Sequence, residues 1–225
     1  METSLHRQLK EHYAGADGFT ERRVDRYRID VILDQQLIEI QLASLTAIRD
    51  KIAKLLKKHD VLVVKPIIAR KHLVKRRRAG GRIVSRRRSP KQRTLLDLFE
   101  ELVHFTRVYP HRRLTLEVPL IEIEEHRYPG HGRRRWHRDN DHQVEDQHLL
   151  EILEIHRFQT AGDLCRLLPP GLPRPFHTGQ IADGLGVDRW VAQRMAYCLR
   201  RTGAIRTVGK SRGAWLYEEP ANKAA

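Results

Sequence analysis

The order of apolar and polar residues near the start of the chain predicts a hairpin, a helix and a returning strand. Apolar residues alternate with polar ones over residues 29–33 and again over residues 37–41, which is the period of a strand. The polar residues 34–36 between them predict a tight connection. Residues 45–56 carry apolar positions at helical spacing, and residues 61–64 form a wholly apolar run typical of a strand buried on both faces. This stretch therefore predicts an α/β core.

The flanking segments extend the same domain. Residues 2–14 have helical spacing, and residues 72–84 predict a hairpin with a glycine turn. Ser89-Pro90 is a typical helix start, so we expect a helix over residues 89–109. Residues 114–123 alternate as a strand. We therefore expect residues 1–127 to form an α/β (or α+β) domain with a mixed central sheet flanked by helices.

The last third of the chain predicts a second, smaller domain over residues 147–219. Four helical segments are expected: residues 147–158, a short helix capped by Thr160, a second capped by Thr178, and a longer one from Asp188 to Thr202. Residues 205–208 and 214–217 read as two strands with a basic tip between them. Helix, short turn and helix is the helix-turn-helix plan. Residues 128–146 lack periodicity and predict a basic linker, and residues 220–225 a tail.

Two acids interrupt the apolar pattern of the predicted hairpin. Asp30 lies on its first strand and Glu39 on its second, and Gln41 shares a face with Glu39 because alternate strand residues point the same way. If the hairpin pairs around residues 34–36, Asp30 comes close to Glu39. Converging carboxylates repel each other unless a positive charge compensates, and Mg²⁺ is commonly held by one or two carboxylates. The alternative is that both acids face solvent.

These residues resemble the signature of the PD-(D/E)XK, or restriction-endonuclease-like, nuclease superfamily. Asp30 matches its first acid and Glu39-Ile40-Gln41 its (D/E)-x-K step, except that Gln41 replaces the usual lysine. The resemblance implies Mg²⁺ or Mn²⁺ held by Asp30, Glu39 and the carbonyl of Ile40. It also implies a catalytic role for Gln41 in orienting water, and one for Lys51 on the following helix in stabilising charge.

Two further acids have both a functional and an ordinary interpretation. The leading helix of the resembled family can supply an additional acid, which would be Glu2 here, although a favourable charge in the first helical turn is the preferred interpretation of Glu2. Glu21 lies among arginines, where a surface ion pair is the simpler interpretation.

The charge of the chain favours a polyanionic partner. Its 225 residues include 43 Lys and Arg against 28 Asp and Glu, a formal charge of +15. No apolar run approaches the ~20 residues of a membrane span, and the N-terminus lacks a signal peptide's apolar stretch. Cys165 and Cys198 lie on apolar helical faces, which predicts reduced core residues in a cytoplasmic protein rather than a zinc site. His131, His137 and His142 have no cysteine partners and give little support to a metal site.

Two basic regions are candidates for nucleic-acid contact. In the first, residues 65–93 contain no acid, and the candidates for phosphate contact are Arg76, Arg77, Arg78, Arg86, Arg87 and Arg88. A solvated basic loop is the alternative. The second region resembles winged-helix DNA-binding domains, and its outward residues would be Arg189, Gln193, Tyr197 and Arg200 on a helix and Lys210 and Arg212 on the wing. Winged helices also dock proteins, so this alternative stays open.

Together these features favour metal-dependent hydrolysis of nucleic acid, with DNA the first choice of substrate and RNA a second. The substitution at Gln41 supports one alternative, a non-catalytic DNA-binding regulator or architectural protein on a decayed nuclease fold. A weaker alternative is a docking surface for RNA–protein assemblies. A homodimer is one open assembly state.

Overall fold

The computed structural model describes residues 2–130 and 142–220 of the chain. Its helices are α1 (Ser4–Ala14), α2 (Arg49–Leu55), α3 (Leu98–Leu102), α4 (Ala161–Cys165), α5 (Thr178–Leu185) and α6 (Arg189–Thr202). Its strands are β1 (Phe19–Val24), β2 (Tyr27–Leu33), β3 (Gln36–Ile40), β4 (Val61–Val64), β5 (Ile67–Arg76), β6 (Ile83–Arg88), β7 (Leu114–Pro129), β8 (His142–Phe158), β9 (Arg206–Ser211) and β10 (Ala214–Glu218). The predicted mixed α/β class is confirmed at this level.

An eight-stranded mixed sheet contains most of these strands. Its order is β1-β2-β3-β4-β7-β5-β6, and β8 pairs with β7. β5 runs parallel to β7 and antiparallel to β6, so one sheet contains both pairings. β9 and β10 form a separate two-stranded antiparallel sheet.

The chain divides into two compact units, each assembled from separated segments. Unit 1 comprises Met1–Leu42, Val64–Leu95 and Val118–His156, and unit 2 comprises Ala43–Val63, Leu96–Glu117 and Arg157–Ala225. Buried residues of unit 1 include Leu5, Leu9, Ile29, Val31, Val74 and Ile123. Those of unit 2 include Ile52, Leu55, Phe99, Phe105, Met195 and Leu199. Among the described residues, no helix is long and apolar enough to cross a membrane.

The two hairpins expected in the first half are confirmed. β2 and β3 pair antiparallel, and the turn between them, Asp34-Gln35, has φ of 48° and 67°, as a type I′ turn requires. β5 and β6 likewise pair across the glycine-containing loop. β1 is an addition that the sequence did not predict, because nearly all its residues are exposed and it has no apolar alternation.

The helix expected over residues 147–158 is wrong, because these residues belong to the long strand β8. Neither face of β8 is fully buried, so its apolar residues show no clean strand alternation. Its backbone instead pairs with β7, and Leu149 N donates to Gln8 Oε1 of α1 at 2.8 Å. The Asp146 side chain adds a second link to α1, since its Oδ1 accepts from Ser4 N at 2.9 Å. Pairing with distant elements overrides the local pattern here. Parts of the expected linker, residues 128–129 and 142–146, are also strand.

The predicted start of the next helix at Ser89 is also wrong. The backbone N–H of Ser89 donates to Lys71 O at 2.8 Å, which prolongs the pairing of β5 with β6. A 3₁₀ turn over Leu95–Asp97 precedes α3, and α3 has only five residues. A backbone still engaged in the sheet at Ser89 cannot begin a helix, whatever the capping signal.

The helices and hairpin near the C-terminus follow the predicted order. Thr160 caps α4 with a capping box, and α6 ends at Gly203, whose φ of 81° suits glycine. The cap of α5 is His177 rather than Thr178, since the His177 ring accepts from Gly179 N and Gln180 N. The hairpin turn is tighter than expected, because β9 continues to Ser211 and only Arg212-Gly213 connects it to β10.

Candidate functional site

The register of three strands in unit 1 places acids in one cross-strand row. Thr20 pairs with Val31 and Arg22 with Ile29, so the intervening Glu21 stands opposite Asp30. Val31 pairs with Ile38, so the next position along that register sets Asp30 opposite Glu39. Residues opposite each other in an antiparallel pair share a face. The residues Glu21, Asp30 and Glu39 are called the acidic row below.

The carboxylate of Asp30 is held by the strand beside it and by helix α1. Its Oδ2 accepts a hydrogen bond from Ile40 N at 2.8 Å and lies 3.5 Å from His6 Nε2. His6 Nε2 is also 3.1 Å from the carbonyl oxygen of Ile40, and His6 Nδ1 is 2.8 Å from Glu2 Oε1. Both ring nitrogens therefore face oxygen acceptors, which favours the doubly protonated ring. The hydrogen bond to Asp30 raises the pKa of His6 above its usual value, against the effect of burial.

Helix α1 presents a polar stripe to the acidic row. His6 and Lys10 are four residues apart on α1, so they share one face of the helix, and Glu2, which precedes the N-cap Thr3, contacts both. Lys10 Nζ lies 2.5 Å from Glu2 Oε1 and 2.6 Å from Glu21 Oε1. Its hydrogen bond to each carboxylate lowers the pKa of that carboxyl. Glu21 also pairs with the exposed Arg28, as the surface interpretation expected, while Lys10 links Glu21 to Glu2 and through it to His6.

The second strand of the hairpin carries a buried acid close to a buried lysine. Glu39 is only 4% exposed, although residues as buried as this are normally apolar. Gln41, the next residue but one, donates its backbone N–H to Val64 O at 2.8 Å. Lys65, the residue after Val64, is 4% exposed, and its Nζ donates a hydrogen bond to Leu42 O at 3.2 Å. A lysine ammonium therefore lies against the backbone just after Glu39-Ile40-Gln41.

The donor chemistry at this hairpin fits a hard divalent cation. Asp30, Glu39 and the Ile40 carbonyl offer oxygen ligands, and Mg²⁺ is usually held by only one or two carboxylates together with water and phosphate oxygens. Within residues 2–130 and 142–220, no group of three or more His, Cys, Asp or Glu side chains is arranged to hold a metal. The expected site thus has two carboxylate ligands, those of Asp30 and Glu39, and the remaining ligands would be other oxygens.

The candidate lysine Lys51 and the three histidines weighed as metal ligands are not part of this hairpin. Lys51 lies on α2, which belongs to unit 2. His142 begins β8, whereas His131 and His137 lie outside the described residues.

The basic hairpin β5–β6 is partly neutralised by glutamates of β7 and β8. Arg86 Nε lies 2.8 Å from Glu124 Oε2, and Arg76 Nε lies 3.2 Å from Glu145 Oε2. The positive charge of this segment is therefore overestimated from the sequence, because the neighbouring strands supply acids that the segment itself lacks. The remaining arginines of the expected set are exposed on β6 or its loop: Arg77, Arg78, Arg87 and Arg88. These four side chains are open to solvent.

In unit 2 the residues expected to contact nucleic acid line one groove. Its volume is about 770 Å³, and it lies between α6 and the β9–β10 hairpin. Five of its lining residues come from the expected set: Arg189, Gln193, Tyr197, Arg200 and Arg212. The sixth expected residue, Lys210, lies over the ring of Trp215, with Nζ 4.1 Å from the ring centroid. We call this cavity the α6 groove.

Sequence reasoning missed His6, Lys10 and Lys65 as site residues, and Trp215 as part of the groove. The spacing His6-x₃-Lys10 was a usable signal, since it places two ionisable groups on one helical face. Lys65 was counted only as part of the basic segment. Its burial depends on strand pairing that no local pattern discloses.

Residues 3–159 match the model of a family described as a domain of unknown function, DUF8091. This match spans more than half of the chain, so the chain belongs to that family. A Treponema pallidum (strain Nichols) protein that carries the name "Uncharacterized protein" is 28% identical over 221 residues, which is 97% of this chain and 85% of that protein. No solved structure matches the chain.

Proposed function

We propose that this DUF8091 chain is a metal-dependent nuclease that hydrolyses phosphodiester bonds in nucleic acid, with DNA as the expected substrate. The observation that carries the proposal is the register that sets Asp30 opposite Glu39 on a hairpin whose neighbouring positions are apolar. A leading helix packs its polar stripe beside Asp30, as the resemblance to PD-(D/E)XK nucleases implies. Burying charged groups in this way destabilises a fold unless they are compensated, so their presence favours a chemical role.

In this proposal Asp30, Glu39 and the carbonyl of Ile40 would hold Mg²⁺ or Mn²⁺. Such a cation would supply a more acidic water and stabilise negative charge on the scissile phosphate. Gln41, one residue past the end of β3, would hold the attacking water through its side-chain amide. Gln41 cannot supply the positive charge of the family's usual lysine.

Lys65 is our candidate for that missing charge. Its ammonium lies at Leu42 O, one residue beyond Gln41, and is buried. A cation in such an environment interacts more strongly with a phosphate than an exposed lysine does, because little water screens it. Lys51 stays the alternative that the resemblance suggested.

Substrate binding is assigned to the two basic surfaces. The exposed arginines Arg77, Arg78, Arg87 and Arg88 would contact phosphates in unit 1. The α6 groove would contact nucleic acid in unit 2, and the order of α5, α6, β9 and β10 supports the resemblance to a winged helix.

One observation favours a second function, that of a non-catalytic nucleic-acid binder. His6 Nε2 and Ile40 N occupy Oδ2 of Asp30, and His6 also holds the Ile40 carbonyl. Two of the ligands proposed for the cation, Asp30 and the Ile40 carbonyl, are thus bonded to groups of the chain itself. A nuclease must release them, whereas a binding protein built on a decayed nuclease fold could keep them as a purely structural network.

The test is incubation of the full chain with supercoiled plasmid DNA, and separately with RNA, in Mg²⁺, in Mn²⁺ or in EDTA. We expect nicking and linearisation of the plasmid that require a divalent cation. Intact nucleic acid under all conditions, combined with retained binding in a gel-shift assay, would overturn hydrolysis in favour of the binding protein.

A further inference from the structure

The α6 groove has a charge pattern suited to a polyanion. Three of its lining residues are the arginines Arg189, Arg200 and Arg212, and the described lining includes no Asp or Glu. Arg212 and Gly213 form the hairpin turn beside the groove, with φ of 47° and 82°. Beyond the two chain neighbours of Gly213, no atom of the described residues lies within 4 Å of the place that a Cβ would take there, so the backbone is open to a ligand. The fork of an arginine side chain pairs bidentately with phosphate oxygens, as it does with carboxylates.

Each wall of the groove also carries an exposed aromatic ring. Tyr197 projects from α6 and is 41% exposed, and Trp215 projects from β10 and is 51% exposed. Lys210 Nζ lies 4.1 Å from the centre of the Trp215 ring, which adds a cation beside that wall. Large aromatic side chains left in water next to arginines are typical of surfaces that bind a partner.

We propose that the α6 groove binds an unpaired segment of nucleic acid, with phosphates at its arginines and bases stacked on Tyr197 and Trp215. In a duplex the faces of the bases are covered by neighbouring base pairs, and only their edges reach the grooves. An aromatic ring gains stacking energy only from a base whose face is free, and such stacking is tolerant of sequence. Gln193, with an amide donor and acceptor, can bond the edge of that base.

The inference rests on the proposed function in one respect: it names the substrate class of the proposed nuclease. The substrate would be nucleic acid with a single-stranded portion, such as a flap, gap or loop. A groove of about 770 Å³ has room for a few nucleotides, which is the scale on which an unpaired strand would enter.

The test measures binding in EDTA, so that hydrolysis plays no part. Fluorescein-labelled oligonucleotides of about 12 nucleotides, one unstructured and one in a blunt duplex, are titrated with the full chain by anisotropy. We expect the single strand to bind more tightly than the duplex. Replacing Trp215→Ala should weaken single-strand binding about tenfold or more, the scale of one lost base stack. Trp215→Phe should recover most of the loss, because a phenyl ring also stacks.

Trp190→Ala is the matched control. Trp190 is also 51% exposed and also has a cation over its ring, Arg194 at 4.8 Å, but it is not among the lining residues of the groove. This variant should change single-strand binding less than about twofold. Tyr197→Ala tests the opposite wall of the groove. It replaces Trp215→Ala as the test variant if Trp215→Ala loses the far-UV circular dichroism spectrum of the parent.

Three results would overturn the inference: tighter binding of the parent to the duplex, equal losses in the Trp215→Ala and Trp190→Ala variants, or displacement of the oligonucleotide by polyglutamate of matched charge. The last result would indicate an acidic peptide as the occupant. Each would leave the proposed hydrolysis at Asp30 untouched, because the binding assay contains no divalent cation. Conversely, an inactive chain that binds single strands through Trp215 would refute hydrolysis alone.

Discussion

Asp30→Asn separates the catalytic interpretation of the hairpin from a structural one. The substitution is nearly isosteric and removes one negative charge. The amide oxygen of asparagine can still accept the hydrogen bond from Ile40 N, which in the parent reaches Oδ2 at 2.8 Å. The fold of the hairpin should therefore persist, while the charge opposite His6 and beside the expected cation is lost.

The size of the effect follows from the Asp30–His6 contact. At an effective dielectric constant of about 20, two unit charges 3.5 Å apart attract each other by about 5 kcal/mol. Both side chains are about one-fifth exposed, and desolvation and side-chain entropy offset much of this, so we expect a loss of unfolding free energy of about 1–2 kcal/mol below neutral pH. If Asp30 binds the cation, the cleavage rate should fall at least about 100-fold, which corresponds to about 2.7 kcal/mol in the barrier.

Three measurements on this variant check the reasoning together: plasmid nicking with Mg²⁺ and Mn²⁺, unfolding by urea, and the titration of His6 by NMR. The pKa of His6 should move down in Asp30→Asn, because Asp30 is the main cause of its upward shift. The matched control is Asp34→Asn, which removes a charge from the same hairpin at an exposed turn position with φ of 48°, where asparagine is well tolerated. Asp34→Asn should leave all three quantities close to the parent. Parental cleavage by Asp30→Asn, or an equal loss in Asp34→Asn, would refute the assignment of Asp30.

Three further predictions concern the surrounding groups. Lys65→Met should lower cleavage at least about tenfold in single-turnover assays, whereas Lys54→Met, which removes an exposed lysine, should not; equal rates in both would exclude Lys65 as the missing charge. Arg87→Ala should flatten the log–log dependence of duplex affinity on salt by about 0.9 in slope, and Arg86→Ala by less, because the Arg86 side chain is already paired with a glutamate. His6 has a pKa raised above 6.5 in the folded chain, so its contribution to unfolding free energy is complete below pH 6.5 and is lost as pH rises through the folded pKa. His6→Ala should remove this loss in urea unfolding between pH 6 and 9, and an unchanged profile would contradict it.

The elements with a clean period were predictable, and those shaped by distant pairing were not. The β2–β3 hairpin could be predicted because polar residues interrupt two alternating runs, and α6 because Asp188 and Gly203 mark its ends. β8 could not be predicted. Its 17 residues are half-exposed on both faces, and the doublets of apolar residues in Leu149–Ile155 fit a helix better than a strand. The pairing with β7, which ends more than ten residues earlier in the chain, makes this segment a strand.

The same contrast holds for the candidate site. The positions of Asp30 and Glu39 followed from the period of two and the location of the turn, since those fix the register of a hairpin. The involvement of His6 and Lys10 depends on how α1 packs on the sheet, which no local pattern determines. The glutamates that neutralise Arg76 and Arg86 lie on β8 and β7, so the basic segment looked more strongly charged in sequence than in its fold.

The network beneath α1 gives the strongest argument that unit 1 has a chemical function. Buried and half-buried ion pairs add little net stability, and apolar replacements of similar volume are often neutral or stabilising. Lys10 nevertheless lies 5% exposed between Glu2 and Glu21, and His6 lies between Glu2 and Asp30. These contacts lower the pKa of Glu2 and Glu21 and hold the Asp30 carboxylate beside α1. A fold selected only for stability has no need of such an arrangement, whereas a site that must bind a cation and a phosphate needs ionised carboxylates held ready in place.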